Sequence, residues 1–257
     1  MKKFFAALMV VAGILAVSCG KDDNGGSIKK DGADDSALHA SLKGSSYFPL
    51  LLDSESAEAI KSKIVCSLMP DDKTNNLWIW EGTYKGGEGA GLNFYGNTAG
   101  YTDLVVDGAA GWSGAGWCVY TEFTPEGAET AFVADPNPFE KIKANIGAHP
   151  NDYTFHVAYK GEAKVAHILG VDYAGGSYKF AVGEGTLGDK GVDYAAIAPV
   201  SGKFEAGEWN EYEIAVKDMG LDFSSDKYEN GTNLLFCLSG GTAGVEIKLD
   251  AAFFYKK

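Results

Sequence analysis

The sequence predicts an all-β fold, a β-sandwich of about ten strands with one short N-terminal helix. Three observations carry this. From Asn76 onward the chain is a succession of short alternating or β-branched runs, each closed by Gly or Asn. Glycine (34 residues) and aromatic residues (12%) are both abundant, as tight turns and a ring-filled space between sheets require. The stretch involved, about 180 residues, suits one sandwich-sized domain and not two, and no internal repeat is visible.

The elements follow in order from residue 46. Asp53 or Ser54 can cap a helix over 53–62 that places Ala57, Ile60 and Ile64 on one face. A strand is expected at 64–68, ended by the Met69-Pro70-Asp71-Asp72 loop. Further strands are expected at 77–84, 91–95, 102–106, 116–123, 153–159, 165–173, 178–183, 209–217, 233–238 and 244–255. Within 209–217 the alternation turns Tyr212, Ile214 and Val216 inward.

Register can be argued for 153–183. A two-residue turn at Gly161-Glu162 would set His156 opposite His167, an inviting metal pair, but would put Phe155 and Val157 on the face opposite Leu169 and Val171. A three-residue turn through Ala163 restores one shared apolar face of Tyr153, Phe155, Val157, Tyr159, Val165, Leu169 and Val171. A one-residue slip inverts every side chain, so burial selects the second register and His167 becomes a hydrogen-bonded core histidine. Gly175-Gly176 makes the next hairpin and adds Tyr173, Tyr178, Phe180 and Val182 to that face.

Upstream of the domain, Met1-Lys2-Lys3 is a basic n-region and 4–17 an apolar run too short to span a bilayer. It ends in Leu15-Ala16-Val17-Ser18-Cys19, which resembles a bacterial lipoprotein signal (1–18) with Cys19 as the lipidated residue. Acyl chains on one cysteine would anchor a domain without a transmembrane helix. Gly20-Lys21-Asp22-Asp23-Asn24 resembles the surface-export signal of Bacteroidetes lipoproteins, with a periplasm-facing anchor as the alternative. Residues 19–45 are expected to be a flexible acidic linker, and Asp35-Ser36-Ala37 resembles a Bacteroidetes O-glycosylation site.

Charge narrows the partners. The chain carries 35 acidic residues against 22 lysines, no arginine, and a formal net charge of −13. Nucleic acid needs a basic footprint and is excluded as a partner, anionic polysaccharides are disfavoured, and neutral ligands fit best. Besides Cys19 there are Cys66, Cys118 and Cys237; at most one disulfide is possible, and the absence of CxxC or His-x-x-x-His spacing argues against zinc.

The chemistry-bearing stretch is 76–123. It holds Trp78, Trp80, Trp112 and Trp117 with Tyr84, Phe94, Tyr95, Tyr101 and Tyr120, separated by glycines. Exposed flat rings near the backbone suit stacking on the apolar faces of sugars, with amides and carboxylates for the hydroxyls. Trp112 and Tyr101, beside glycines, are the first candidate platforms, and Trp80 and Tyr84 the second; Asn93, Asn97 and Glu122 are candidate polar contacts. Trp78 and Trp117 are assigned to the core or its edge.

Trp80-Glu81, the Gly-Trp-Ser-Gly-Ala-Gly-Trp segment at 111–117, Gly-Glu-Trp-Asn-Glu-Tyr-Glu-Ile at 207–214 and Leu-Asp-Ala-Ala-Phe-Phe-Tyr at 249–255 recur in this order. Together they resemble the jelly-roll β-sandwich of carbohydrate-binding modules and related Bacteroidetes surface lipoproteins, over 46–257. The resemblance implies a jelly roll, a noncatalytic glycan-binding role at the cell surface, and no required cofactor. It also implies a possible structural calcium at Glu81 and Asp250, and an association with an outer-membrane transporter complex. A glycoside hydrolase or lyase on the same fold stays open, as does a purely structural or protein-binding subunit. No Ser-His-Asp elbow, HExxH or phosphate loop is present.

Overall fold

The computed structural model describes residues 38–71, 73–98 and 100–257. The signal segment, Cys19 and the 35–37 motif lie outside them.

The strands in chain order are β1 (Ser46–Leu51), β2 (Asn75–Ile79), β3 (Tyr84–Glu88), β4 (Thr102–Val106), β5 (Trp112–Val119), β6 (Glu122–Phe123), β7 (Phe132–Val133), β8 (Tyr153–Gly161) and β9 (Ala166–Tyr173). They continue with β10 (Gly176–Gly183), β11 (Thr186–Asp189), β12 (Val192–Ala195), β13 (Asn210–Ala215), β14 (Thr232–Gly240) and β15 (Glu246–Lys256). Two helices, α1 (Ser54–Ala59) and α2 (Pro138–Ile142), sit in the connections, capped by Asp53 and Asn137. Sheet A runs β13-β8-β15-β4-β3 with β1 added on β15, and sheet B runs β10-β9-β14-β5-β2. All strand pairs of both sheets are antiparallel. The two sheets face each other as a jelly-roll sandwich.

The slab between the sheets is the main core. Sheet A contributes Tyr153, Phe155, Val157 and Tyr159, and sheet B contributes Trp117, Leu169, Val171, Tyr173 and Cys237. Tyr212, Ile214 and Val216 point into it, as the alternation at 209–217 requires. Cys66, Cys118 and Cys237 are free thiols, all buried.

The 153–171 stretch shows where burial informs and where it does not. Its expected apolar residues share the core except Val165, which is half-buried in the connection, but β8 and β9 are not a hairpin. β8 pairs with β13 and β15, whereas β9 pairs with β10 and β14. The 162–165 connection therefore crosses from one sheet to the other, and the two strands meet face to face across the core. A period of two fixes which face is apolar, but not whether that face meets its neighbour beside it or opposite it. The hairpin expected at Gly175-Gly176 forms one residue earlier: Gly176 pairs with Tyr173, and the turn residues Ala174 and Gly175 both have positive φ (51° and 77°) as a two-residue hairpin requires.

Other boundaries shift for local reasons. The 64–68 and 91–95 runs are not strands and make only single bridges, Ile64 with Tyr47 and Leu92 with Thr98. The 77–84 run breaks after Ile79, because Glu81 turns to φ 52° as the chain leaves sheet B for sheet A. β5 begins at Trp112 rather than 116; Gly114 and Gly116 hide its alternation from the eye. β1 contains Pro49 and was not expected as a strand. The β11–β12 hairpin and α2 were not expected either.

A second cluster lies on the outer side of sheet A. Leu42, Tyr47, Leu52, Ile60, Ala158, Ala251, Phe253 and Tyr255 are buried there, with Phe94, Tyr95 and Trp209 packed against them. Residues ahead of 46 thus pack in this layer. Residues 40–43 form a 3-10 turn with Ser41 and Leu42 buried, and His39 sits edge-on to Phe94 (4.8 Å). His156 is covered by this layer. Its Nδ1 lies 2.6 Å from the Ala251 carbonyl and its Nε2 2.9 Å from the Glu211 carboxylate, so both ring nitrogens are engaged.

His167 faces the core, bonded through Nδ1 to Ser239 Oγ (2.5 Å), which in turn meets Tyr84 Oη (2.6 Å). Burial pushes its pKa down to about 4 from 6.5. Between those values the unfolded chain binds a proton that the folded one does not, so stability rises with pH across that window and falls on acidification. His167→Gln is expected to lose that dependence, on the order of 3 kcal/mol between pH 7 and pH 4. Urea unfolding of both proteins at a series of pH values reads it. Asp250, which burial raises to about 6, acts with the opposite sign between its ordinary value and about 6, and Asp250→Asn is the control.

Candidate functional site

The candidate site is the outer face of sheet B at β5 and β2. In β5, Ala115, Trp117 and Val119 point into the core, so Trp112, Gly114, Gly116 and Cys118 point out. In β2, Leu77 and Ile79 pack against the core and Trp78 and Trp80 point out. The strand registers place Lys179, Gly170, Phe236, Gly116 and Trp78 on one line across the sheet. The next line carries Ala181, Ile168, Leu238 and Gly114, with Trp80 just past the end of β2.

Rings therefore alternate with glycines, and Phe236 and Trp80 lie over the missing side chains of Gly170 and Gly114. A Cβ on Gly170 would collide with the Phe236 ring, and one on Gly114 with Trp80 while standing 3.0 Å from Trp112. One on Gly116 would stand 3.0 Å from Trp80 and overlap Asn233. Trp80 and Phe236 lie 6.2 Å apart, tilted by 36°. Trp112 is 38% exposed and Trp80 half-buried, whereas Phe236 is buried beneath the layer. Trp78 is half-buried at the sheet edge and donates from Nε1 to Tyr120 Oη (3.2 Å).

The β11–β12 hairpin bounds this face on the β10 side. Asp189 pairs with Lys179 (2.6 Å), whose ammonium lies 5.8 Å from the Phe236 ring centre, and Ala181 bridges to Ala196. Ile168 and Ala181, although on the outer face, are buried. Cys118 donates to Asn233 Oδ1 (2.9 Å), and burial pushes its thiol up to about 12, so it is inert. No lysine, arginine or histidine occurs between 86 and 140, where eight acidic residues do. Of the face's tryptophans, Trp112 lies within this cation-free segment.

The structure brings Trp80 and Trp112 together on this face and separates the other sequence candidates from it. Tyr84 is a core residue, 3% exposed, bonded to Ser239. Tyr101 is buried on the sheet A side, its ring edge-on to Trp209 (5.3 Å) and its hydroxyl donating to the Ala90 carbonyl (2.6 Å). Neither offers a ring to a ligand. Asn93 and Asn97 brace the 89–100 loop: Asn93 Oδ1 accepts from Asn97 N (2.9 Å), and Asn97 Nδ2 donates to Asp53 (2.9 Å). Glu122 is exposed on the β6–β7 hairpin beyond the sheet. Sequence reading missed Phe236 and set Trp78 with the core or its edge, of which the structure shows the edge. The signal that finds them is the outward parity of β2 and of the glycines at 114, 116 and 170.

Glu81 and Asp250 do not fit a shared calcium. Asp250 is fully buried, with Oδ2 accepting from Phe94 N and Oδ1 from Ala251 N, both at 2.7 Å. Glu81 is exposed in the turn after β2. Among the described residues no group of three or more His, Cys, Asp or Glu is arranged for a metal ion. Asp250 instead pins the 92–95 loop onto sheet A. The His167–Ser239 contact is no nucleophile–base pair, since both side chains are buried in the core. Two shallow depressions lie off the aromatic face. One, of about 340 Å³, is lined by Asp53, Glu88 and Asn97; the other, of about 310 Å³, by Lys160, Glu162 and Lys248.

Gly114→Val is expected to lift Trp80 off the sheet while leaving the core side of β5 intact. The readout is a changed near-UV dichroism and tryptophan emission, with about 1–3 kcal/mol lost in urea unfolding.

No family model matches the chain, and no curated protein does. Among solved structures, it is similar to an exo-β-agarase (8% identity, TM-score 0.40), covering 71% of this chain and 23% of that one. It is also similar to SGBP-B from a complex xyloglucan utilisation locus in Bacteroides uniformis (11%, TM-score 0.35), covering 70% of this chain and 47% of that one. A third is the family 30 carbohydrate-binding module of a cellulosomal cellulase of Clostridium thermocellum (9%, TM-score 0.41), covering 72% and 92%. The chain thus spans less than half the length of the first two. These likenesses concern sandwich layout, and the aromatic face stands on this chain's own geometry.

Proposed function

We propose that the protein is a noncatalytic glycan-binding lipoprotein of the cell surface, whose outer face on sheet B stacks indole rings on neutral sugars. The observation that carries this is the pair Trp80 and Trp112, laid side by side over Gly114. Rings held flat against backbone lose little freedom on binding and present a plane to the C–H face of a pyranose. The acidic net charge and the cation-free 86–140 segment favour an uncharged ligand.

The placement of the chain start supports a tethered role. Residues 38–47 enter on the outer side of sheet A, and the aromatic face is on the outer side of sheet B. An acyl anchor on Cys19, reached through the expected flexible linker, would join the domain on the side away from the tryptophans. A neighbouring outer-membrane transporter would receive what this face collects.

Affinity electrophoresis against neutral and acidic polysaccharides tests the reading. Retardation is expected on at least one neutral polymer. Trp80→Ala and Trp112→Ala should each weaken it about tenfold or more. Tyr101→Phe, which removes a buried hydroxyl away from the face, should leave it unchanged. Retardation that survives both tryptophan changes would reject the site, and none on any polymer would reject the function.

A further inference from the structure

We propose that the site is a stripe running along β5 and takes an extended, uncharged glycan chain laid parallel to the strands, from Trp112 to Phe132. This rests on the glycan-binding reading above and adds the ligand's shape and direction.

The stripe follows from strand parity. Trp112 and Tyr120 lie on the same side of β5, eight residues apart, which is about 27 Å at roughly 3.4 Å per residue. The edge strand β2 fills the interval with Trp80 and Trp78. Past Tyr120 the rings continue: Phe123 is 4.9 Å from Tyr120 and 6.1 Å from Trp78. Phe123 pairs directly with Phe132 in the β6–β7 hairpin, so the two share a face, and Phe132 is 41% exposed. Neither this hairpin nor its aromatic tip contributes to the sandwich core.

The hairpin is held at its base. Asn230 Oδ1 accepts from Thr121 N (2.8 Å) and Thr121 Oγ1 (3.1 Å), and its Nδ2 donates to the Glu122 carbonyl (2.8 Å). The rings at its end are thereby set against the sheet edge.

Direction follows from what closes the other path. A chain crossing the strands would run from Trp78 over Phe236 toward Lys179, where the β11–β12 hairpin already covers Ile168 and Ala181. Along β5 the hairpin approaches only the Trp112 end, where Leu187 nears Gly240, and the outward positions beyond it are Gly114, Gly116 and Cys118. Eight acidic residues and no basic ones between 86 and 140 make an anionic polymer a poor occupant of the same stripe.

The test is a chain-length series. Cello-, xylo- and manno-oligosaccharides from disaccharide to hexasaccharide, and the matching soluble polysaccharides, are titrated calorimetrically into the wild-type protein, Trp112→Ala and Phe132→Ala. For the series that binds, affinity is expected to keep rising up to the hexasaccharide. Phe132→Ala should weaken the hexasaccharide and polymer about tenfold and leave the di- and trisaccharide unchanged. Trp112→Ala should weaken every length. Phe132 lies outside the core, and an unchanged melting temperature verifies that variant's fold; the wild-type length series needs no variant at all. Affinity that levels off by the trisaccharide, or a Phe132→Ala protein equal to wild type on all lengths, overturns the stripe while leaving the Trp80–Trp112 platform standing. If neither oligosaccharides nor polymers bind the wild-type protein, the glycan-binding reading falls and the stripe with it.

Discussion

Every strand of this sandwich has two faces, and only one of them can meet the slab between the sheets. That constraint organises the molecule, because the outer faces must be disposed of separately. Sheet A covers its outer face with chain: the 38–60 segment and the 89–100 loop bury Tyr47, Phe253, Tyr255 and His156 in a second apolar layer. Sheet B covers the β10 and β9 part with the β11–β12 hairpin, which buries Ile168 and Ala181. At β5 and β2 it covers its outer face with its own rings, and there the layer is open to solvent.

Such an open layer is possible because β5 carries glycine at 114 and 116 and β9 carries it at 170. Glycine in a strand interior weakens the strand and gives nothing to packing. Here the lost side chain is replaced by a neighbour's ring lying on the backbone. The same residues that disrupt the strand signal in sequence are the ones that create the flat surface. Local strand propensity is sacrificed at the site, which is where sequence and fold are expected to disagree.

Much of the fold was legible because burial repeats with period two. The inward residues of 153–183 other than Val165, and those of 209–217, could be named, as could a hairpin placed one residue late at Gly175-Gly176 and a helix cap at Asp53 or Ser54. What pattern cannot supply is the partner of a buried face. The 162–165 connection resembles a hairpin turn and is instead a passage between sheets, and β1 was hidden by Pro49. The site was half legible for the same reason. Trp112 and Tyr101 stood out as aromatics beside glycines, with Trp80 and Tyr84 as second choices, but composition does not say which side of a strand is wet. Parity does, and it also places Trp78 and Phe236 with the outward set. Asp250 could be singled out as unusual, but its role is to hold the Phe94 loop through two backbone N–H groups.

A crystal structure of the protein soaked with a neutral oligosaccharide shown to bind it tests the central claim most directly. Sugar rings stacked over Trp80 and Trp112 on the outer face of sheet B, without rearrangement of Gly114 or Gly116, is the result expected. Sugar bound instead in the depression beside Asp53 and Asn97, or on sheet A near Lys160 and Lys248, with the tryptophan face bare, would contradict the account.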